Sequence, residues 1–74
     1  MKLHVKLKII REHLGLTQDQ MAEKLGLKAD LRRARVSEWE SGRSEPSREI
    51  LIKYSELLNI DIKKLIDDRV KLFC

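Results

Sequence analysis

Two stretches of the 74-residue chain decide its fold: GLTQDQMAEKLG at residues 15–26 and VSEWESGRSEPS at residues 36–47. In the first stretch, Thr17 and Gln20 have the spacing of a capping box, in which each side chain accepts a hydrogen bond from the other residue's backbone N–H. The apolar residues that follow are Met21, Ala22 and Leu25. A glycine comes next, and the whole pattern predicts a short helix over about 18–26.

The second stretch predicts another helix, which forms a corner with the first. Val36 and Trp39 are three residues apart and therefore share one helical face. This spacing makes Trp39 a core residue rather than a base-stacking one. Gly42 ends the helix after about residue 41, and Asp30 is a candidate N-cap for a start near residue 31.

The sequence on either side predicts two longer amphipathic helices. One covers 3–14 and ends at Gly15, and another covers about 48–58, between a Ser47 N-cap and Asn59, which tolerates the left-handed conformation. The apolar face of the earlier helix consists of Leu3, Leu7, Ile10 and Leu14. The apolar face of the later helix consists of Ile50, Leu51, Tyr54, Leu57 and Leu58.

A last short helix completes an all-α fold of five helices. Asp61 caps it, and it covers about 62–68. Its residues expected to face inward are Leu65 and Ile66. No alternating strand pattern occurs, so we expect a helical domain over 1–69 and a C-terminal tail at 70–74.

Length and composition restrict the chain to one small globular domain. A content of 42% hydrophobic and 38% charged residues excludes collagen-like and disordered classes. Cys74 is the single cysteine, so no disulfide forms within the chain, and a reducing cytoplasm is expected. No long apolar run predicts a membrane span. Residues 1–43 carry the whole net charge of +4, which indicates a polyanion such as nucleic acid as partner.

The two stretches, followed by ILIKYSELLNIDIKKLID at residues 50–67, resemble the lambda-repressor and Cro-like helix-turn-helix regulators, the Xre family. The resemblance extends from residue 5 to about residue 67. It implies a five-helix lambda-repressor-like domain, in which one helix crosses the DNA backbone and the next enters the major groove. The implied function is sequence-specific binding of double-stranded DNA by a repressor-like transcription regulator, acting as a homodimer on an inverted repeat.

The connection between the two motif helices is longer than in the family. Nine residues separate Gly26 from Val36, where the family has about five. We therefore expect the helix-turn-helix at about 17–42 to contain an insertion of roughly four residues near 27–31, which either lengthens one of the helices or loops out. Counting back from Val36, the leading turn of the recognition helix consists of Arg32, Arg33, Ala34 and Arg35.

The resemblance implies a division between residues that read bases and residues that hold the DNA backbone. Arg33 is expected to bond guanine, Ala34 to contact a thymine methyl group, and Glu38 to accept a hydrogen bond from the cytosine N4 amino group. The backbone contacts are expected from Thr17, Gln18, Arg32, Arg35, Ser37, Ser41 and Arg43. Free backbone N–H groups after Thr17 and at the Gly42 turn are expected to add phosphate donors. The family also implies a partly buried ion pair between Arg11 and Glu40.

Plainer interpretations exist for the charged residues. The arginine run can be a solvated face, and Glu38 can be an ordinary exposed acid. We expect no enzyme activity, because no nucleophile–base arrangement, phosphate-binding glycine loop or carboxylate pair occurs. His4 and His13 lack partners at metal-ligand spacing, so no metal or other cofactor is expected. A chain with no room for a sensor domain is not expected to bind a small-molecule ligand.

Two other functions are compatible with the same fold. The family includes antitoxin-type regulators that also bind a protein toxin, and the apolar tail residues Val70, Leu72 and Phe73 suit such a partner surface. The same tail can form a dimer seam or pack on its own domain. A protein-interaction module that has lost DNA binding is the other alternative. Such a module is expected to have a neutral or acidic recognition helix, whereas this one contains Arg32, Arg33 and Arg35.

Overall fold

The computed structural model describes residues 1–27 and 32–70. Five helices follow one another along these residues: α1 (Leu3–His13), α2 (Gln18–Lys24), α3 (Arg32–Ser41), α4 (Arg48–Leu58) and α5 (Ile62–Ile66). The all-α architecture predicted from the sequence is confirmed. The candidate Asp30 cap, residues 28–31 of the expected insertion, and the tail residues Leu72, Phe73 and Cys74 lie outside the described residues.

Side-chain caps fix the starts of three helices, at the residues that the sequence indicated. The Thr17 hydroxyl accepts from the Gln20 amide at 3.1 Å, and the Gln20 side chain accepts from the Thr17 amide at 2.9 Å. Ser47 caps α4, and Asp61 caps α5 through the Lys63 amide. At its other end α4 stops at Asn59, which has φ 54° and ψ 47°. The predicted bounds of α4 are therefore confirmed.

Three helices end earlier than predicted, and the first, α1, stops at His13, one residue before the predicted end at residue 14. Helix α2 stops at Lys24 and not near residue 26, since Leu25 is already its C-cap. Helix α5 stops at Ile66 and not at residue 68, because Asp67 is in an extended conformation. The Asp67 carboxylate accepts hydrogen bonds from the guanidinium of Arg69 and from its backbone N–H, and these bonds lower the pKa of that carboxyl to about 2.

The inward orientation predicted for Ile66 is wrong. Ile66 is 52% exposed, whereas its neighbour Leu65 is fully buried. Adjacent residues of a helix point about 100° apart, so a helix of little more than one turn buries only one of the two. Leu65 has the position that faces α1 and α4.

The core lies where α3 packs against α1 and α2. Its buried hydrophobic members are Leu7, Ile10, Met21, Ala22, Leu25, Val36, Trp39, Tyr54 and Leu65. The predicted core positions of Trp39 and Tyr54 are thus confirmed. Burial of one face of α3 leaves its opposite face to solvent.

A buried lysine joins the two ends of the domain. Lys6 has no solvent exposure, and its Nζ donates to the carbonyl oxygens of Lys64 at 2.5 Å and Asp67 at 2.7 Å. These carbonyls belong to the C-terminal end of α5, where helical carbonyls lack intrahelical donors. Lys6 therefore acts as the cap that α5 does not supply itself. No helix among the described residues is long and apolar enough to cross a membrane.

Candidate nucleic-acid interface

Helix α3 presents one continuous exposed face. The side chains of Val36, Trp39 and Glu40 are buried. The exposed members of α3 are Arg33, Ala34, Arg35, Ser37 and Ser41, and Glu38 is half-buried. Arg32 begins the helix, but its side chain lies outside the described part of the chain. Most residues expected to contact DNA therefore share a single surface of one helix.

The two described arginines of α3 point to opposite edges of this face. They are two residues apart, and two helical steps rotate a side chain by about 200°. Arg33 lines a cleft with Thr17 and Gln18 at the start of α2. Arg35 instead lines a groove on the other side, with Ser44 from the turn after α3. The arginines therefore do not form one block, and Ala34 and Ser37 lie on the surface between them.

Thr17 and Gln18 are both partly engaged within the protein. Thr17 is exposed, and its hydroxyl oxygen accepts the capping hydrogen bond while its own proton remains available as a donor. Gln18 is half-buried, and its Nε2 donates to Glu40 Oε1 at 3.4 Å. The second N–H and the carbonyl oxygen of the Gln18 amide have no partner among the described residues.

An ion pair behind this cleft joins α1 to α3. Arg11 Nε donates to Glu40 Oε2 at 2.8 Å, and Arg11 Nη1 donates to the Leu16 carbonyl, also at 2.8 Å. The side chains are only 15% and 5% exposed. The hydrogen bond that Arg11 donates to Glu40 raises the pKa of the Arg11 guanidinium above its usual value, although burial opposes the increase. Glu40 therefore binds Arg11 with one oxygen and Gln18 with the other.

The hydroxyl of Tyr54 has no hydrogen-bond partner among the described residues, although it is buried close to this ion pair. Burial, together with the nearby negative charge of Glu40, raises the pKa of the Tyr54 phenol well above its usual value. A buried hydroxyl without a partner lowers stability, because it has lost its hydrogen bonds to water.

We expect Tyr54→Phe to leave the free energy of unfolding unchanged or to raise it by up to about 1 kcal/mol, since the ring stays and only the unpaired hydroxyl is lost. Urea denaturation of the variant and the parent measures the difference. A loss of stability of more than about 1 kcal/mol would mean that the hydroxyl forms a favourable bond.

The turn after α3 contacts Glu38 from several directions. The Glu38 carbonyl accepts from the Arg43 amide at 3.1 Å and from Ser41 Oγ at 3.0 Å. Its carboxylate Oε2 accepts from Ser44 Oγ at 3.3 Å. Gly42 also donates its amide to Trp39. The expectation of free backbone donors at this turn is therefore wrong for Gly42 and Arg43, because both amides bond the last turn of α3.

Gly42 has a conformation and a position that exclude larger residues. Its φ is 82°, and a Cβ atom there would lie 3.2 Å from His4 Nδ1. The turn after α3 therefore lies in close contact with α1 at this position. The Arg43 side chain, next along the chain, is exposed and free to contact a ligand.

The described residues contain no group of three or more His, Cys, Asp or Glu side chains that could hold a metal ion. Sequence reasoning also missed two residues, Ser44 and Lys6. Ser44 carried no signal in the sequence, since its contact with Glu38 depends on the path of the turn. Lys6 carried a weak one, because it lies four residues before Ile10 and so shares the buried face of α1.

Residues 7–65 match the protein-family model described as helix-turn-helix. The chain belongs to the helix-turn-helix family. The resemblance noted from the sequence is thereby confirmed, and α2 and α3 are the two helices of the motif. No curated protein matches the sequence.

One solved structure has the same fold as this helix-turn-helix domain. It is the P22 c2 repressor protein in complex with synthetic operator 9T in the presence of Tl+. The TM-score is 0.76 at 21% sequence identity, and the match covers 90% of this chain and 96% of the repressor chain. The five-helix repressor-like fold expected from the sequence agrees with this likeness.

Proposed function

We propose that this helix-turn-helix protein binds double-stranded DNA in a sequence-specific manner and regulates transcription as a repressor. The observation that carries the proposal is the exposed face of α3, with an arginine at each edge and with the small residues Ala34 and Ser37 and the acid Glu38 between them. An α-helix is about 10–12 Å wide with its side chains, and the major groove is about 12 Å wide. A face with small central residues and basic edges suits that groove.

Base reading is assigned to three residues of α3. Arg33 offers guanine a bidentate pair of donors, and Glu38 offers the cytosine amino group an acceptor. Ala34 lies between them and is small enough for a thymine methyl group to contact it. The remaining polar residues around this face hold the backbone: Thr17, Gln18, Arg32, Arg35, Ser37, Ser41 and Arg43.

The likeness to the P22 c2 repressor supports this assignment at the level of the fold. That protein was solved with a synthetic operator, and its helical framework matches the present one over most of both chains. We propose that the corresponding surface here binds an operator, and that the protein acts without catalysis or cofactor in the cytoplasm.

Selection of duplexes from a random pool by the immobilised protein tests the proposal. We expect one motif to be enriched, with the pairs facing α3 the most restricted. A chain carrying Arg33→Ala and Glu38→Ala together is the matched control, and it should enrich a weaker or less restricted motif. Failure to enrich any motif, while the protein is folded, would overturn the proposed function.

Two single substitutions should separate base reading from backbone binding. Arg33→Ala is expected to relax preference at one base pair, worth about 1–3 kcal/mol of discrimination. Arg43→Ala is expected to weaken binding to all sequences about equally and to reduce the slope of log K against log salt by about one. Fluorescence anisotropy on duplexes with single base changes, at several salt concentrations, measures both. A uniform loss with Arg33→Ala would make that arginine a phosphate contact instead.

We further propose a homodimer on an inverted repeat, because one module of this size buries little DNA surface on its own. Ile66 and Val70 are 52% and 37% exposed and lie close together along the chain, which supports a seam at this end of the domain. A chain truncated after Arg69 is expected to sediment as a monomer while the full chain sediments as a dimer. If the two chains sediment identically, the tail does not form the dimer interface. It would then be available to bind a different protein, such as a toxin.

A further inference from the structure

Glu38 is held in place by the residues that follow it. Its main-chain carbonyl accepts two hydrogen bonds, from Ser41 and Arg43, and its carboxylate accepts one from Ser44. The backbone contacts fix the end of α3. The contact from Ser44 is different, because it acts on the side chain that we assign to base reading.

The position of Ser44 is itself fixed on both sides. On one side, Gly42 packs against His4 in a left-handed conformation that few other residues adopt. On the other side, Pro46 is buried and has a restricted φ. Ser44 is half-buried between these two anchors, and it lines two surface clefts together with Trp39. Its hydroxyl therefore approaches Glu38 from a rigid support.

One hydrogen bond to Oε2 leaves the other carboxylate oxygen, Oε1, without a partner among the described residues. A free glutamate on a helix surface samples many rotamers and loses that freedom when it binds. A glutamate whose carboxylate is already anchored loses less. The anchored carboxylate offers an acceptor to an amino group in the major groove, which cytosine presents at N4 and adenine at N6.

We propose that Ser44 is a specificity-determining residue that acts through Glu38: its hydroxyl orients the Glu38 carboxylate so that Oε1 accepts from the exocyclic amino group of one base. The inference rests on the proposed DNA-binding function and deepens it. Ser44 is a positioning residue, and it makes no contact with the base itself.

The test compares Ser44→Ala and Ser44→Thr with the parent chain. Ser41→Ala is the comparison for discrimination, because within the protein the Ser41 hydroxyl bonds the main chain of Glu38 and not its carboxylate. Affinities are measured on the enriched duplex and on its variants at the base pair whose preference Glu38→Ala removes. We expect Ser44→Ala to reduce discrimination at that pair by about three- to tenfold, the equivalent of one hydrogen bond. Ser44→Thr, which retains the hydroxyl, should keep the parent value. Ser41→Ala removes a proposed contact to the DNA backbone, so it should weaken binding to every duplex about equally and leave the discrimination at that pair unchanged.

A measurement without DNA makes the test independent of affinity. The side-chain scalar couplings of Glu38 in the free, full-length protein report its rotamers. We expect couplings of one dominant rotamer in the parent and in Ser44→Thr, and averaged couplings in Ser44→Ala. Unchanged couplings in Ser44→Ala would overturn the proposal.

The remaining outcomes are distinguishable. Unaltered discrimination in Ser44→Ala, or an equal loss of affinity on every duplex, would overturn the positioning role while leaving DNA binding intact. If Glu38→Ala leaves every base preference unchanged, Glu38 does not contact a base and the inference about Ser44 fails. An enriched motif would still support the proposed function in that case. If no motif is enriched at all, both fail together.

Discussion

Replacement of Glu40 by alanine is expected to lower the free energy of unfolding by about 2–4 kcal/mol. The substitution leaves the guanidinium of Arg11, whose side chain is 15% exposed, without its carboxylate partner. A buried charge that loses its partner costs several kcal/mol, because water cannot replace the lost interaction. Replacement of Glu40 also removes the oxygen that accepts a hydrogen bond from Gln18, so the start of α2 loses this side-chain connection to α3.

Two further variants make this prediction specific. Glu56→Ala is the matched control, since Glu56 is an exposed acid in the last turn of α4, and we expect a change within about 0.5 kcal/mol. The double variant Arg11→Leu, Glu40→Leu removes both charges and should retain more stability than Glu40→Ala. Urea denaturation measures all three, and equal midpoints for Glu40→Ala and the parent would contradict the importance of the ion pair.

Lys6→Met is the second substitution with a large expected effect, a loss of about 2–3 kcal/mol. Methionine keeps a long apolar side chain, so the cavity is small. It removes the ammonium group that donates to Lys64 and Asp67. The Lys64 carbonyl then lacks this donor, whereas the Asp67 carbonyl keeps only the bond from the Val70 amide. Hydrogen bonds to charged groups contribute more than neutral ones, which supports an effect of this size.

Hydrogen exchange should locate the effect of Lys6→Met. Amides of α5 and of the following turn are expected to exchange faster relative to those of α2 and α3, since Lys6 holds this end of the domain. Lys8→Met is the control, because Lys8 is exposed on the same helix and should behave as the parent. The capping role would be contradicted if Lys6→Met had the same denaturation midpoint as the parent and if its α5 amides exchanged as slowly as those of the parent.

The sequence predicts the elements whose determinants are local. The Thr17 box, the Ser47 cap and the Asn59 stop each act within a few residues, and the structure contains all three. The end of α5 depends instead on a lysine 58 residues earlier in the chain, whose donated hydrogen bonds satisfy the last carbonyls. The exposure of Ile66 has a separate reason, because a helix of little more than one turn has too few residues for periodicity to define its buried face.

The candidate interface also has some features that follow from local sequence and others that depend on distant residues. Helical geometry alone predicts that Arg33 and Arg35 diverge, because their two-residue spacing rotates them to opposite edges. The bonds from Gln18 to Glu40 and from Ser44 to Glu38 depend on how one segment packs beside another. Such contacts follow from tertiary structure and have no signature in the spacing of residues. The assignment of residues to base or backbone contact remains a prediction.

The affinity of the parent chain for its enriched duplex, compared with a scrambled duplex of identical length and composition, tests the central claim most directly. The comparison is made at one salt concentration, near 0.15 M, because electrostatic binding to any DNA varies steeply with salt. If the exposed face of α3 reads base pairs, the enriched duplex should bind at least about 1,000-fold more tightly. Equal affinities for the two duplexes would contradict sequence-specific recognition, and would reduce the surface to a general site for polyanions.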